Sequence, residues 1–333
     1  MHDTYSLSKS EFNIDKKKVL RYYNATRSSH TSQRCDPREH VLFLESFMKL
    51  KEPKTFYEQV KRLEEKGLIV NDEISCESFL SHVNYYNFTG YLLTFRDKSG
   101  ERYKNVTFEL AKDIFFFDKE LRSIIFQQIE STELHLRTAI SNYHALKYGA
   151  DGYESSSNFN PTFDFDSFWD HVQGCIDDNS GSFVVMHHRK KYEGHFPLWV
   201  VVEFFSLGEL SYLYRGMKYN DKTSISRSLY GVNPDYLDSW FRCLTSLRNM
   251  CAHSSRLYYN IFTSIPKLDN KLNEKTKRRL FAQLLMLKEM APDTNEWNNN
   301  FLRRLEQLID NYSDSIHLNC IGFPLDWYDQ LKR

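Results

Sequence analysis

The longest segment without a helix-breaking residue constrains the fold of this chain more than any other feature. Residues 107–147 contain neither Gly nor Pro, and apolar side chains recur along them at helical spacing. These side chains are Ile114, Phe117, Leu121, Ile125, Ile129, Leu136 and Ile140. Gly149 then provides a stop signal. The pattern predicts one long central helix, or two helices joined by a kink.

The aromatic content favours the same fold class. The chain has 25 Phe and 21 Tyr but only 12 Gly and 8 Pro, which is typical of long helices with bulky packing and few turns. We therefore expect an all-α protein. Because Lys plus Arg and Asp plus Glu each number 44, no overall charge attracts the chain to nucleic acid, and any RNA site must be a local patch.

Local signals predict a short N-terminal arm followed by one domain. Residues 1–36 are polar and lack a helical period, so we expect a loosely ordered arm, and we assign residues 37–330 to a single helical domain. Helices are expected over 37–49 and from Thr55, where Glu58 completes a capping-box pattern and Gly67 marks the end. Further helices are expected over 199–217, over 222–229 and, as a C-terminal group within about 271–310, as two helices over 271–290 and 296–310. Residues 151–195 indicate an aromatic-rich insertion, with one short helix expected within 151–181.

The cysteines and the first residues indicate a cytoplasmic protein. Residues 1–18 are polar and charged, unlike the apolar core of a signal peptide. The most apolar stretch, residues 196–205, is interrupted by Pro197 and Glu203 and is far shorter than the ~20 residues of a membrane span. We therefore expect no membrane partner. The six cysteines form no Cys-x-x-Cys pair, so we expect reduced thiols.

One predicted helix concentrates polar groups that suit catalysis. Asn233 and Pro234 are a strong start signal, and the helix is expected over about 234–258. On a helical wheel, Asn249 and His253 lie opposite the apolar stripe, and Arg248 lies at its edge. The stripe consists of Leu237, Trp240, Leu244, Leu247 and Cys251. The polar side is flanked by Arg242, Ser246 and Arg256.

These groups suit cleavage of RNA by its own 2′-hydroxyl, which needs proton transfer and charge stabilisation but no metal. The His253 imidazole can exchange a proton near neutral pH, and the Arg248 guanidinium can bind two phosphoryl oxygens. Asn249 would position the imidazole or the sugar. A simpler interpretation is that Arg248 and His253 only cap the helix or pair with carboxylates, and wheel geometry alone leaves both interpretations open.

The segment Leu247-Arg248-Asn249-Met250-Cys251-Ala252-His253 resembles the Arg-Asn-x-x-x-His signature of HEPN ribonucleases, and its surroundings resemble the abortive-infection AbiD/AbiF family of bacteria. The resemblance covers roughly residues 52–259. It departs at Ser254, where a second His is expected beside the first. Further matching blocks are Lys54-Thr55-Phe56, Tyr85-Tyr86, Phe117-Asp118-Lys119-Glu120-Leu121-Arg122, Leu136-Arg137-Thr138, Pro197-Leu198-Trp199 and Ser206-Leu207-Gly208.

The resemblance implies a HEPN-type helical bundle and metal-independent endoribonuclease activity, with Arg248, Asn249 and His253 as site residues and no cofactor. It also implies that two signature motifs meet across a dimer interface. Since this chain carries one motif, a homodimer would follow. A role in phage defence is implied as well, with the activity held in check by a neutralising small RNA or protein.

Secondary candidates for the site lie mostly on the central helix. One arc of that helix carries acid-first pairs at i,i+4 spacing, which either form an ion-paired face or orient Arg248 and His253 from a neighbouring helix. The secondary candidates are Asp118, Arg122, Glu130, Glu133, Arg137 and Arg256.

Basic residues outside the motif are candidates for contact with an RNA backbone, although such runs are usually solvated helix faces. The candidates are Arg242, Lys275, Arg278 and Arg279. The loop histidines His187, His188 and His195 have no Cys or acidic partner at zinc-site spacing, so no metal site is expected.

Two rival functions remain: a non-catalytic RNA-binding protein that holds a small RNA on the same scaffold, and a purely structural interaction protein.

Overall fold

Helices make up the regular structure of residues 52–269 and 272–333, which are the residues that the computed structural model describes. Within these ranges the only β contacts are isolated bridges, at Ile69–Thr107, Arg96–Tyr103 and Phe159–Met217. The predicted all-α fold class is confirmed. The predicted arm over 1–36 and the helix over 37–49 lie outside the described residues.

The first half of the described chain contains one long helix and several shorter ones. They are α1 (Phe56–Glu65), α2 (Glu73–His82), α3 (Tyr85–Thr89), the central helix α4 (Phe108–Tyr148), α5 (Phe165–Asp178) and α6 (Phe183–Lys191). Short 3-10 helices lie at Gly90–Phe95, Gly152–Glu154 and Ser156–Asn158.

The second half contributes the helix with the signature and the C-terminal group. Its α-helices are α7 (Leu198–Val201), α8 (Leu207–Gly216), α9 (Tyr219–Tyr230), α10 (Pro234–Ala252), α11 (Glu274–Lys277), α12 (Leu280–Met290), α13 (Thr294–Glu296), α14 (Arg303–Asn311) and α15 (Trp327–Leu331). A π-helical segment spans Trp297–Leu302, and 3-10 helices span Val202–Phe204 and Leu318–Ile321.

The central helix α4 is a single unbroken helix of 41 residues, so the two-helix alternative is wrong. The Thr107 hydroxyl caps its start by accepting a hydrogen bond from the Leu110 N–H at 3.2 Å. Gly149 ends it with a φ of 92°, a backbone conformation that favours glycine. Helices α7, α8, α9, α10, α12 and α14 all pack against α4, which therefore forms the axis of the compact unit Thr55–Arg333.

Capping residues in the local sequence determine both ends of helix α1. The Thr55 and Glu58 side chains make the reciprocal capping box, and Gly67, with a φ of 94°, follows the C-cap. A Cβ at Gly67 would lie 2.6 Å from the Tyr103 carbonyl oxygen, so the close approach of the 97–103 hairpin also requires glycine. Both predicted ends of this helix are confirmed.

Three predicted elements differ in the structure. The expected helix over 199–217 is broken, because Ser206 and Glu209 form a second capping box that starts α8. The insertion contains the α-helix expected within 151–181, which is α5, but His187 and His188 lie on a second helix, α6, rather than in a loop. The C-terminal group is divided into more pieces than expected, with the first break at Arg278 and Arg279.

Among the residues described, no helix combines the length and the apolar character that crossing a lipid bilayer would require.

Candidate functional site

The helix that carries the signature, α10, packs its predicted apolar stripe into the protein. Leu237, Leu244 and Leu247 are fully buried, and Trp240 and Cys251 nearly so. Burial raises the pKa of the Cys251 thiol to about 12, so it stays protonated and is no nucleophile near neutral pH. Asn249 and His253 are exposed on the other side, as the wheel predicts.

The helix ends six residues earlier than the predicted limit at residue 258, and His253 is its C-cap residue rather than an interior position. The Ser255 N–H donates to the Met250 carbonyl at 2.9 Å and the Ser254 N–H to the Cys251 carbonyl at 3.4 Å. Ser254 has a φ of 54°, in the left-handed region. These two bonds are the Schellman arrangement, in which Ser254 takes the position usually held by glycine.

The His253 imidazole projects from this helix end. The residue is exposed, and its side chain makes no hydrogen bond to another residue in the part of the chain that the structure describes. Its backbone N–H donates to the Asn249 carbonyl at 2.9 Å, which fixes the Cα one turn beyond Asn249. An imidazole with a fixed backbone and a free ring is accessible for proton exchange with a ligand.

The Arg248 guanidinium is held between an aromatic ring and a carboxylate of the central helix. Its Cζ lies 5.8 Å from the ring centre of Phe126, and its Nε lies 4.0 Å from Glu133 Oε2. Nε is buried and makes no hydrogen bond to a described residue. About a third of the side chain, 32%, remains exposed. The ring and the carboxylate therefore orient the guanidinium while leaving part of it accessible.

Glu133 is itself fixed by a second arginine. Arg137 Nη2 donates to Glu133 Oε1 at 2.5 Å and to the Phe205 carbonyl at 2.6 Å. The Glu133 side chain is 10% exposed and the Arg137 side chain 15%. Of the secondary candidates, Glu133 thus contacts Arg248 directly and Arg137 supports it, as the positioning interpretation expects.

Asp118 binds the backbone that follows His253. Its fully buried carboxylate accepts hydrogen bonds from the Leu257 N–H at 3.2 Å and from the Tyr258 N–H at 2.8 Å. It also accepts from the Tyr91 hydroxyl at 2.7 Å and from Arg122 Nη1. We call this cluster the Asp118 clamp. Together with the Schellman turn, it fixes the chain on both sides of His253.

Tyr91 joins the clamp to Arg256. Burial and the adjacent Asp118 carboxylate raise the pKa of Tyr91, so the phenol stays protonated and donates to Asp118. The Arg256 guanidinium lies 5.8 Å from the Tyr91 ring centre and donates to the Gly90 carbonyl. Arg256 therefore ties the end of the motif segment to the 3-10 helix at Gly90–Phe95, and is structural rather than free to bind RNA.

The other candidates are dispersed. Glu130 is exposed and lines a small cavity with Glu296 and Asn300, and none of its hydrogen bonds or ion pairs within the described ranges reaches α10. Arg279 donates to the Tyr259 and Asn260 carbonyls at 2.6 and 3.0 Å, which engages it as a backbone anchor. Arg242, Lys275 and Arg278 are exposed.

The sequence alone did not assign roles to Phe126 and Tyr91. Phe126 precedes Glu133 by seven residues, a spacing that places both on one helix face, so this signal was present. Tyr91 lies 27 residues before Asp118 in a separate element, and only the tertiary fold brings the two together.

A comparison with known protein families matches the part of the chain that contains these site residues. A family model described as Abi-like protein matches residues 78–259, which is more than half of the 333 residues. No curated protein and no solved structure matched the chain. The matched segment begins within α2 and ends just after α10, so it includes the central helix, the Asp118 clamp, Arg248 and His253. The chain therefore belongs to the Abi-like family of abortive-infection proteins.

Proposed function

We propose that this protein is a metal-independent HEPN-type endoribonuclease that acts in phage defence. The observation that carries the proposal is the pairing, in the last turn of one helix, of an oriented arginine with a free histidine. Arg248 is held by Phe126 and Glu133, and His253 presents its imidazole to solvent. Membership of the Abi-like family supports the defence role.

The chemistry needs only groups that this chain supplies. A base removes the proton of the RNA 2′-hydroxyl, the 2′-oxygen forms a bond to phosphorus, and the bond to the 5′-oxygen breaks as that oxygen gains a proton. The products are a 2′,3′-cyclic phosphate and a 5′-hydroxyl. Arg248 would stabilise the charge on the phosphoryl oxygens, and Asn249 would orient the sugar or the imidazole.

A homodimer would complete the site. One reaction needs both a base and an acid, and each copy provides one such histidine in the motif, so we assign the two roles to His253 from each of two copies. Two Arg248 side chains would then flank the phosphate. An inhibitory small RNA or protein would act by covering this shared face.

The test is cleavage of labelled single-stranded RNA by the full chain in excess EDTA. We expect products with 2′,3′-cyclic ends. His253→Ala should lower the rate by ~10²–10⁴, as for loss of a positioned acid or base. Arg248→Ala should lower the rate by ~10²–10³, as for loss of one charge-stabilising donor. Asn249→Ala should cleave at a rate between those of the wild type and of these two variants, because the amide only orients its neighbours.

Matched controls are His187→Ala and Arg227→Ala, which replace exposed residues of the same types on other helices and should cleave at the wild-type rate. Activity that disappears in EDTA and returns with magnesium would contradict the mechanism. Salt-dependent binding of intact RNA without cleavage would instead indicate a binding protein that holds a small RNA on this scaffold.

A further inference from the structure

A cavity of about 580 Å³ lies between α2, α3 and the central helix, and Ser254 forms part of its wall. Its volume falls within the roughly 300–1,000 Å³ of pockets that bury small ligands. Ser254 directly follows His253 in the chain, so the cavity wall includes the neighbour of the candidate catalytic residue. It takes no part in the chemistry described above.

The wall is cationic. Lys112, Lys119 and Arg122 line it, and none of its lining residues is an aspartate or a glutamate. Arg122 is neutralised by Asp118 behind the wall, but Lys112 and Lys119 form no ion pair within the described ranges. Two lysines without a carboxylate partner in one cavity wall favour an anionic ligand.

The nearby carboxylates of the central helix are engaged elsewhere. Asp113 accepts a hydrogen bond from the Ser315 hydroxyl at 2.8 Å, and Glu120 accepts one from the Tyr312 hydroxyl at 2.8 Å. Both contacts are to the C-terminal region, and neither carboxylate lines the cavity. No carboxylate in the cavity lining therefore faces the two lysines.

The rest of the lining suits a nucleobase. The Phe116 ring is half-buried in the wall, with Lys119 Nζ 5.9 Å from its centre. Asn84 and Asn87 in the lining are exposed amides, and Asn84 Oδ1 accepts a hydrogen bond from the Tyr86 N–H, which leaves its NH₂ group to donate. An aromatic face, amide donors and adjacent ammonium groups together recognise a base with its phosphate.

We propose that this cavity binds one nucleotide of the RNA adjacent to the cleaved bond, with Lys112 and Lys119 on its phosphate and Phe116 against its base. The assignment of the ligand as substrate rests on the proposed ribonuclease function. A free nucleotide that regulates the enzyme would have the same chemistry, so the experiment must separate these two sources.

The binding test uses adenosine 3′,5′-bisphosphate, which carries the phosphates on both sides of one nucleoside, and calorimetry on the full chain. The double variant Lys112→Ala/Lys119→Ala should bind it about tenfold more weakly, because two charge-assisted contacts are lost. Lys190→Ala/Lys191→Ala removes two exposed lysines from the end of α6 and should leave the affinity unchanged. Circular dichroism checks that both variants are folded.

The kinetic test measures whether the same bisphosphate inhibits RNA cleavage. Competitive inhibition, which raises KM and leaves kcat unchanged, supports a substrate subsite if it weakens in the lysine double variant. A change in kcat without competition indicates a free-nucleotide effector and overturns the proposal, as does equal binding by wild type and double variant. Lysine-dependent binding in a protein that never cleaves RNA would support the nucleotide cavity and refute the ribonuclease function.

Discussion

At the scale of single residues, Arg248 depends on shape as well as on charge. Its guanidinium lies over the Phe126 ring with its Nε 4.0 Å from Glu133 Oε2, an arrangement that suits a planar side chain. Arg248→Lys keeps the charge but loses the planar fork, so we expect cleavage to fall by about tenfold to ~10², which is less than for Arg248→Ala. Single-turnover RNA cleavage measures this. A lysine variant with near wild-type activity would mean that only charge matters.

A second residue-scale prediction concerns His144, which is 1% exposed and whose two ring nitrogens have no hydrogen-bond partner among the described residues. Burial lowers its pKa from 6.5 to about 4, with the nearby Asp221 opposing that effect. The unfolded chain therefore takes up a proton near pH 6.5 that the folded protein accepts only near pH 4. Stability contributed by the neutral ring is complete above pH 6.5 and is lost as the pH falls toward 4.

The loss amounts to at most about 3 kcal/mol and is measured by urea unfolding between pH 7 and pH 4. His144→Leu places an apolar side chain between the neighbouring rings of Tyr148 and Phe159. The unfolding free energy of this variant should depend less on pH over this range. An unchanged slope in that variant would assign the acid sensitivity to other groups.

What the sequence reveals at this scale follows from spacing along one helix. The wheel placed Asn249 and His253 on the exposed side and the Leu237 stripe in the core, and both placements are confirmed. Choosing between Glu130 and Glu133 as the partner of Arg248 required the packing of α4 against α10, since both carboxylates fall within one arc of the wheel. A contact between two helices depends on their rotation and crossing, which periodicity does not determine.

At the scale of elements, helix ends with standard capping residues were predictable. Thr55, Thr107, Gly67 and Gly149 mark ends that the structure reproduces. The end of α10 was missed because Ser254, and not glycine, occupies the left-handed position that closes the helix.

The Schellman turn makes a prediction about stability. Ser254→Gly relieves the cost of a left-handed backbone for a residue with a Cβ, so we expect unfolding free energy to rise by up to about 1 kcal/mol. The matched control is Gly231→Ala at the end of α9, where φ is 67° and an added Cβ would meet no atom within 4 Å. That change should destabilise by about 1 kcal/mol through backbone conformation alone. Urea unfolding compares the two, and a destabilising Ser254→Gly would show that the Ser254 side chain itself matters.

At the scale of the whole molecule, the central helix explains why the fold class was predictable and the tertiary surroundings of the site were not. A 41-residue helix with its apolar spacing is visible in the sequence, and it commits the chain to packing other helices around it. The Asp118 clamp and the cationic cavity each bring together residues that are far apart in the sequence. Asp118 and Tyr258 are separated by 140 residues, and Lys112 and Ser254 lie in one cavity wall. Such juxtapositions follow from tertiary packing.

The last prediction concerns assembly. If cleavage needs His253 from two copies, light scattering should give about twice the 39.7 kDa of one chain under assay conditions. Co-expressing equal amounts of wild type and His253→Ala then tests the shared site, because random pairing leaves about one quarter of the dimers with both histidines. Activity per total protein should fall to about one quarter of wild type if both are required, and to about one half if each copy cleaves alone. The second value, or full activity at monomer mass, would contradict a composite site.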